Sequence, residues 1–165
     1  MDHGLYLKKF KRAAARLDKK LFAEKGIRID TGIVLDSVFL KLYKKSWMNK
    51  GEDQVDAKTK IFFSIWVNDK TLLQQQLFYN IHALKLRKLE GYSVTSRHFA
   101  DVFRKGFKKF ERYWENVNTD LGPLTLMEGW KEFTMEDLED TVSSLANDFL
   151  AIDHLIDETL EIFRK

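Results

Sequence analysis

The apolar positions near the start of the chain recur at helical spacing. Steps of three and four residues put one set on a single helix face: Leu7, Phe10, Ala14, Leu17 and Leu21. Lysines and arginines occupy the opposite face of the same helical wheel. Glycine adopts the left-handed conformation that ends many helices, so Gly26 is the predicted end of this helix.

Three further segments in the first ninety residues also favour helices. One runs from about Gly32 to Met48, and another runs from Lys70 to Glu90 with apolar residues pointing in nearly every direction. A helix that is apolar all round is typical of a buried, central position. Between them, the segment from Gln54 to Val67 contains IFFSIWV, whose residue types also suit a buried strand. Because the pattern shows no partner strand, we predict a helix here too.

The last third of the chain extends the helical pattern. A helix is predicted from Arg97 to Val117, and Thr134 with Asp137 resembles a capping box before a helix of nearly thirty residues. No stretch shows strand-like alternation in several successive segments. We therefore predict an all-α fold, a single-domain bundle of five or six helices over residues 1–165 with a long C-terminal helix.

The segment from Asn118 to Phe133 is long for a connection, and it is rich in apolar residues. Connections of this length are uncommon in compact domains and are often functional. One interpretation is a short helix or extended segment that covers the core. The other is a docking loop for a partner, which would use Leu124, Met127 and Trp130.

Charge is distributed unevenly along the chain, although the net charge is only +3. Residues 1–50 carry +8, residues 51–110 carry +5 and residues 111–165 carry −10. Such asymmetry indicates either an anionic partner on the basic side or acidic helices that pack beside basic ones in the same molecule. The candidate anion-binding residues are Lys8, Arg12, Arg16, Lys19, Arg97, Arg104, Lys105 and Lys108.

One segment resembles the DNA-binding part of helix-turn-helix proteins. It is LEGYSVTSRHFADVFRKGF, from Leu89 to Phe107. In that resemblance Gly91 supplies the turn, and Thr95, Ser96 and Arg97 begin the recognition helix. The resemblance implies a nucleic-acid-binding, regulatory protein.

Several kinds of chemistry are excluded by composition and spacing. The chain has no cysteine, which rules out disulfides, thiolate catalysis and cysteine-ligated zinc. Its glycines are too far apart for a phosphate-binding loop, and no two histidines have the helical spacing of a zinc site. His82 lies among apolar residues and is predicted to be a core histidine. We predict no catalytic residue, no metal and no cofactor.

These observations favour a non-enzymatic helical interaction or adaptor protein with segregated basic and acidic faces. The alternative is a nucleic-acid-binding protein, and the third possibility is a helical enzyme whose site the sequence does not reveal. The expected partner is another protein or a second copy of the chain in a homodimer, with nucleic acid as the other option. No segment suits a membrane, and a cytoplasmic location is expected.

Overall fold

The computed structural model describes residues 1–165, and its centre is an antiparallel sheet of five strands in the order β1-β2-β3-β4-β5. The strands are β1 (Ile27–Val34), β2 (Ser37–Lys44), β3 (Lys60–Val67), β4 (Gln76–Leu84) and β5 (Thr125–Glu132). The helices are α1 (His3–Ala15), α2 (Lys19–Glu24), α3 (Asp69–Leu73), α4 (Ser96–Phe107), α5 (Leu138–Phe149) and α6 (Asp153–Ile162). Short 3-10 turns span Lys45–Trp47, Leu86–Lys88 and Lys108–Tyr113. None of the helices has both the length and the apolar character needed to cross a membrane.

Strand β3 divides the molecule into two layers. Every second residue of this strand is fully buried, and the residues between them face the other side of the sheet. The buried set is Ile61, Phe63, Ile65 and Val67. Phe63 stacks on Phe149 of α5 with 4.6 Å between ring centroids, so this is the face that the helices cover. We call the other face, which carries Phe62, Ser64 and Trp66, the open face.

The helical layer joins the two ends of the chain. Helix α1 packs against β1, β2 and α5, while α4 packs against α6 and β5. Arg16, just after α1, forms ion pairs with Glu139 and Asp140 of α5. The Ser143 hydroxyl of α5 donates a hydrogen bond to the Ala13 carbonyl at 3.0 Å. Basic N-terminal and acidic C-terminal residues therefore meet within one chain, as one of the two interpretations of the charge pattern expected.

The predicted all-α bundle is wrong, and strand β4 shows the physical reason. Leu77 and Tyr79 are buried on the helix-covered face, while Phe78 and Leu84 lie on the open face. The sequence of a strand with large apolar residues on both faces has the same pattern as that of a helix with apolar residues on all sides. The segment Gln54–Val67, predicted to be a helix because no partner strand was visible, contains β3 (Lys60–Val67), which pairs with β2 and β4.

The predicted long C-terminal helix is also wrong, because the chain turns between α5 and α6. The Lys25 ammonium donates a hydrogen bond to the Leu150 carbonyl at 3.0 Å, which satisfies a backbone group at the end of α5. The same ammonium lies 2.9 Å from the carboxylate of Asp153, the first residue of α6. One lysine thus stabilises the end of one helix and the start of the next. Ile162, near the end of α6, remains 66% exposed.

The β1–β2 hairpin contains the most strained backbone of the sheet. Its two turn residues, Leu35 and Asp36, have φ angles of 45° and 66°. Side chains with a Cβ are uncommon in this left-handed region, where glycine and asparagine are favoured. Leu35 lies in the segment from Gly32 to Met48 that was predicted to be a helix, but it is 93% exposed at the tip of this turn.

Candidate binding site on the open face of the sheet

Polar and charged side chains form a continuous row across the open face. The strand register pairs Asp30 with Lys41, Lys41 with Ser64, Ser64 with Asn80 and Asn80 with Glu128. Residues paired in this way lie about 5 Å apart on the same face of the sheet. Each of the five strands therefore contributes one residue, and we call these five residues the polar row.

Aromatic side chains border the polar row on both sides. On one side the register aligns the first aromatic row, which consists of Phe39, Trp66, Phe78 and Trp130. On the other side the second aromatic row consists of Tyr43, Phe62 and His82. The ring centroids of Trp66 and Phe78 are 5.1 Å apart, and those of Phe62 and His82 are 5.3 Å apart. The open face is therefore a polar strip between two aromatic walls.

A cavity of about 350 Å³ lies over this strip, and all five strands contribute to its lining. Small-molecule sites in proteins commonly have volumes of about 300–1,000 Å³. The aromatic part of the lining comes from Phe39, Phe62 and Trp66, and the polar part includes Ser64 and Asn80. Its size and mixed lining fit a small organic ligand.

The centre of the polar row is held in place by a chain of hydrogen bonds. The Ser64 hydroxyl donates to Asn80 Oδ1 at 2.6 Å, and Asn80 Nδ2 donates to Glu128 Oε1 at 3.2 Å. Ser64 and Asn80 are only 4% and 2% exposed. These bonds fix which atoms of the amide donate and which accept. The polar groups are therefore oriented before any ligand arrives.

Lys41 supplies the positive charge of the row. Its Nζ atom lies 4.5 Å from the centroid of the Phe39 ring and 4.7 Å from that of the Phe62 ring. Burial lowers the pKa of Lys41 from its ordinary value of 10.5, despite an opposing effect of Asp30. The Asp30 carboxylate accepts a hydrogen bond from the Tyr43 hydroxyl at 2.7 Å. The ammonium is thus flanked by aromatic rings and forms no ion pair with a carboxylate.

His82 belongs to the open face rather than to the core, where the sequence placed it. Its Nδ1 atom lies 3.2 Å from the hydroxyl of Thr125 in β5. Burial lowers the pKa of His82 below its ordinary value of 6.5. Burial thus favours the neutral imidazole, in which each ring nitrogen can serve as either a donor or an acceptor according to the tautomer.

The side chains on the open face provide groups that can bind a ligand. The Ser64 hydroxyl donates to an amide oxygen, which is not a base that could activate a nucleophile. Nowhere in the chain do three His, Asp or Glu side chains converge as a metal ligand set. The face offers instead stacking surfaces, oriented hydrogen-bonding groups, a cation at Lys41 and a carboxylate at Glu128.

The residues predicted to bind anions do not lie at this site. They are divided between the α1–α2 region and the α4 region of the chain. Those with exposed side chains and neither an ion pair nor a side-chain hydrogen bond within the chain are Lys8, Arg12, Arg97, Lys105 and Lys108. Their use by an anionic partner stays a prediction.

Three of the predicted cations have partners within the chain. Arg16 forms the ion pairs with α5 described above, and the Lys19 ammonium donates to the Ala14 carbonyl at 2.6 Å. Arg104 was expected to be free for a partner, but its guanidinium donates to three backbone carbonyls. These belong to Gly122, Thr125 and Leu126, at distances of 2.9 to 3.0 Å. Arg104 therefore holds the backbone that leads into the start of β5.

The predicted docking loop is partly a strand. Met127 is fully buried on the helix-covered face of β5, so its assignment to a docking surface is wrong. Leu124 precedes the strand and is 49% exposed. Trp130 is partly exposed and belongs to the first aromatic row. Of the three residues, Trp130 alone lies in the row that borders the candidate site.

The resemblance to helix-turn-helix proteins does not extend to the structure. Helix α4 begins at Ser96 with Thr95 as its N-cap, in the position expected for a recognition helix. Gly91 also has the positive φ angle, 90°, that a turn requires. However, β4 and a 3-10 turn precede Gly91 where the motif requires a helix.

The polar row was not predicted from the sequence, although part of its signal is present there. Ser64 lies within an apolar run, two residues before Trp66, and Asn80 lies two residues after Phe78 and two before His82. Polar and aromatic residues thus share one face of each segment at a spacing of two. The cross-strand register that joins these residues comes only from the fold. No protein-family model, curated protein or solved structure matches this chain.

Proposed function

We propose that this chain is a non-enzymatic binding protein that holds a small, planar organic ligand on the open face of its sheet. The observation that carries the proposal is the polar row between two aromatic rows. Aromatic side chains beside buried, oriented polar groups are typical of a ligand site, where apolar walls provide contact area and a few polar groups provide specificity. The proposal retains the non-enzymatic interaction role expected from the sequence, but with a different fold and a different surface.

The charges of the site restrict the ligand further. Lys41 has no carboxylate partner, so an anionic group on the ligand would gain an ion pair in partly desolvated surroundings. Glu128 lies two strands away from Ser64 in the register and presents an acceptor. A ligand with an anionic group, a planar body and a hydrogen-bond donor complements the Lys41 ammonium, the aromatic rows and the Glu128 carboxylate, respectively.

Tryptophan fluorescence provides a direct test. The chain has four tryptophans. Trp47 and Trp114 are buried, whereas Trp66 and Trp130 lie on the open face. Titration with indole-3-acetate, flavin mononucleotide and adenosine 5′-monophosphate, read by tryptophan emission or by ligand-observed NMR, should give saturable binding of at least one probe.

Two matched variants assign that binding to the open face. Lys41→Met removes the ammonium of the polar row, while Lys45→Met removes an exposed ammonium outside it. We expect the first change to weaken binding about tenfold or more, because it removes a charge-assisted contact, and the second to leave it unchanged. Absence of saturable binding by every probe, or equal binding by both variants, would contradict the proposal.

A second candidate function, nucleic-acid binding through the basic helices, is favoured by the exposed cations of α4 and the turn that follows it. Arg97, Lys105 and Lys108 form no ion pair. Contacts of this type bind phosphates with an affinity that falls steeply as salt rises. An electrophoretic mobility assay with single- and double-stranded DNA and RNA tests it, with the triple charge reversal of these residues as the loss-of-binding variant.

A further inference from the structure

The polar row has a direction that limits what the site can bind. A cation stands near one end at Lys41 and a carboxylate at the other end, Glu128. These residues are three strands apart, which corresponds to about 14 Å between backbones at about 4.8 Å per strand. The ligand of the proposed function must therefore be longer than a single ring, with unlike polar groups at its two ends.

The Glu128 end requires a hydrogen-bond donor. Glu128 Oε1 already accepts from the Asn80 amide, which orients the carboxylate and leaves the second oxygen without a protein partner. A carboxylate accepts hydrogen bonds and cannot donate them when ionised. An amino group attached to a flat ring supplies the matching donor, as in the contact that Glu or Asp makes with the amino group of cytosine.

The middle of the row requires a flat body. Trp66 and Phe62 are on the two aromatic rows that border Ser64, and the floor between them is the buried Ser64–Asn80 pair. Stacking on aromatic side chains is the usual way in which proteins hold unpaired nucleobases.

The Lys41 end requires an anion. The Lys41 ammonium is flanked by two aromatic rings, and the nearest acidic residue of the row, Asp30, has its carboxylate engaged by Tyr43. A phosphate group bound there gains a charge-assisted hydrogen bond. A phosphate at one end and a planar ring system next to it are the arrangement found in a nucleotide.

We propose that the open face binds a nucleotide whose base carries an exocyclic amino group, with the amino group on Glu128, the base between the two aromatic rows and the phosphate on Lys41. This inference rests on the proposed function and specifies its ligand class. The nucleotide is either a free mononucleotide or one unit of a single strand, because both present the same three groups.

The test compares ligands that differ by one group. Cytidine 5′-monophosphate and uridine 5′-monophosphate differ at ring position 4, where the first carries an amino group and the second a carbonyl. Isothermal titration calorimetry should show the cytidine nucleotide binding about tenfold more tightly than the uridine nucleotide, because the carbonyl faces an acceptor. Cytidine itself should bind more weakly than its 5′-monophosphate, because it lacks the group that pairs with Lys41.

Two variants connect each preference to one residue. In Glu128→Gln the new amide can donate to the carbonyl of uracil, so the preference for the cytidine nucleotide should disappear or reverse. In Lys41→Met the advantage of the phosphate should disappear, while the preference for cytosine over uracil remains. Glu132→Gln, on the exposed end of the same strand, should alter neither ratio. Circular dichroism of each variant establishes that it is folded.

The possible results separate this inference from the proposed function. Equal affinity for the two mononucleotides, or a preference that Glu128→Gln leaves unchanged, would overturn it. Binding of planar carboxylates without binding of any nucleotide would overturn it and leave the proposed function standing. Tighter binding of a short oligocytidylate than of the mononucleotide would identify a single strand as the source of the ligand, and binding of the mononucleotide alone would identify the free nucleotide.

Discussion

Gly129 lies directly opposite Tyr79 in the sheet, and the tyrosine occupies the space where a side chain at position 129 would begin. A Cβ atom at position 129 would lie 2.2 Å from the Tyr79 hydroxyl oxygen. That hydroxyl donates a hydrogen bond to the Glu115 carbonyl at 2.7 Å, and its ring contacts the ring of Trp114. The absence of a side chain in β5 thus allows one tyrosine to connect the sheet to the segment after α4.

The first prediction is that Gly129→Ala destabilises the protein by about 2–3 kcal/mol, because Tyr79 must leave its hydrogen bond to avoid the new methyl group. Urea denaturation followed by circular dichroism measures the free energy of unfolding. Gly122→Ala is the matched control, because a Cβ there meets nothing within 4 Å. Equal stability of the two variants would show that the tyrosine can move without cost.

The second prediction concerns the buried ion cluster between α2, β2 and α6. Asp153 is 2% exposed and lies 2.9 Å from the Lys25 ammonium and 3.0 Å from that of Lys44. Asp153→Asn should lower the free energy of unfolding by about 3 kcal/mol, since it removes a buried charge that compensates two partly buried cations, of which Lys44 retains its pair with Asp157.

The control for this change is Glu161→Gln, which breaks an exposed pair with Arg164. An exposed pair contributes about 0–1 kcal/mol, so this variant should remain close to the parent chain. A similar small effect for Asp153→Asn would mean that the cluster is solvated in solution. Both values come from the same urea denaturation measurement.

The third prediction is a pH dependence of stability that comes from His82. Its pKa in the folded chain is lowered from 6.5, mainly by burial. As the pH falls below 6.5, the imidazole of the unfolded chain takes up a proton more readily than that of the folded chain. The free energy of unfolding therefore decreases. The loss begins near pH 6.5 and continues down to the lowered pKa of the folded chain.

The variant His82→Gln isolates this contribution. Thermal unfolding from about pH 8 to about pH 5 should show a smaller loss of stability for the variant than for the parent chain. The other titratable groups are shared, so the difference between the two curves belongs to the imidazole. Parallel curves would mean that His82 is as solvated in the folded chain as in the unfolded one.

The fourth prediction is a stabilisation at the β1–β2 turn. Replacing Leu35 and Asp36 with Asn and Gly should raise the free energy of unfolding by about 1 kcal/mol, because those residues adopt positive φ angles at lower cost. The change also removes an exposed leucine. Denaturation in urea measures the effect, and the double alanine variant, which keeps the strain, should show no gain.

The sequence specified the helical ends of this fold better than its centre. Phe10 and Ala14 of the predicted stripe are buried in α1, although this helix ends at Ala15 rather than at Gly26 and Leu21 is 40% exposed. Thr134 and Asp137 exchange the reciprocal hydrogen bonds expected of a cap. These features depend on residues within one turn of each other, and short-range spacing is what a sequence shows directly.

The sheet was missed because its evidence lies in pairs of distant residues. Phe39 and Phe78 added apolar positions to the open faces of β2 and β4, which concealed the alternation of the buried residues beneath them. Those outward aromatic residues are also part of the candidate site. The features that made the strands resemble helices are therefore the ones that the proposed ligand requires.

Strand β3 carries core residues and site residues in strict alternation, and this has a consequence for how the chain tolerates insertions. Adding or deleting one residue within β3 would exchange the two sets, so that Trp66 turned toward α5 and Ile65 toward the open face. A single-residue deletion scan should therefore find no tolerated position inside β3. It should find tolerated positions in the connection from Asn49 to Lys58, whose side chains are mostly exposed. Substitutions in β3 can therefore change the core or the open face separately, whereas an insertion or deletion in β3 changes both.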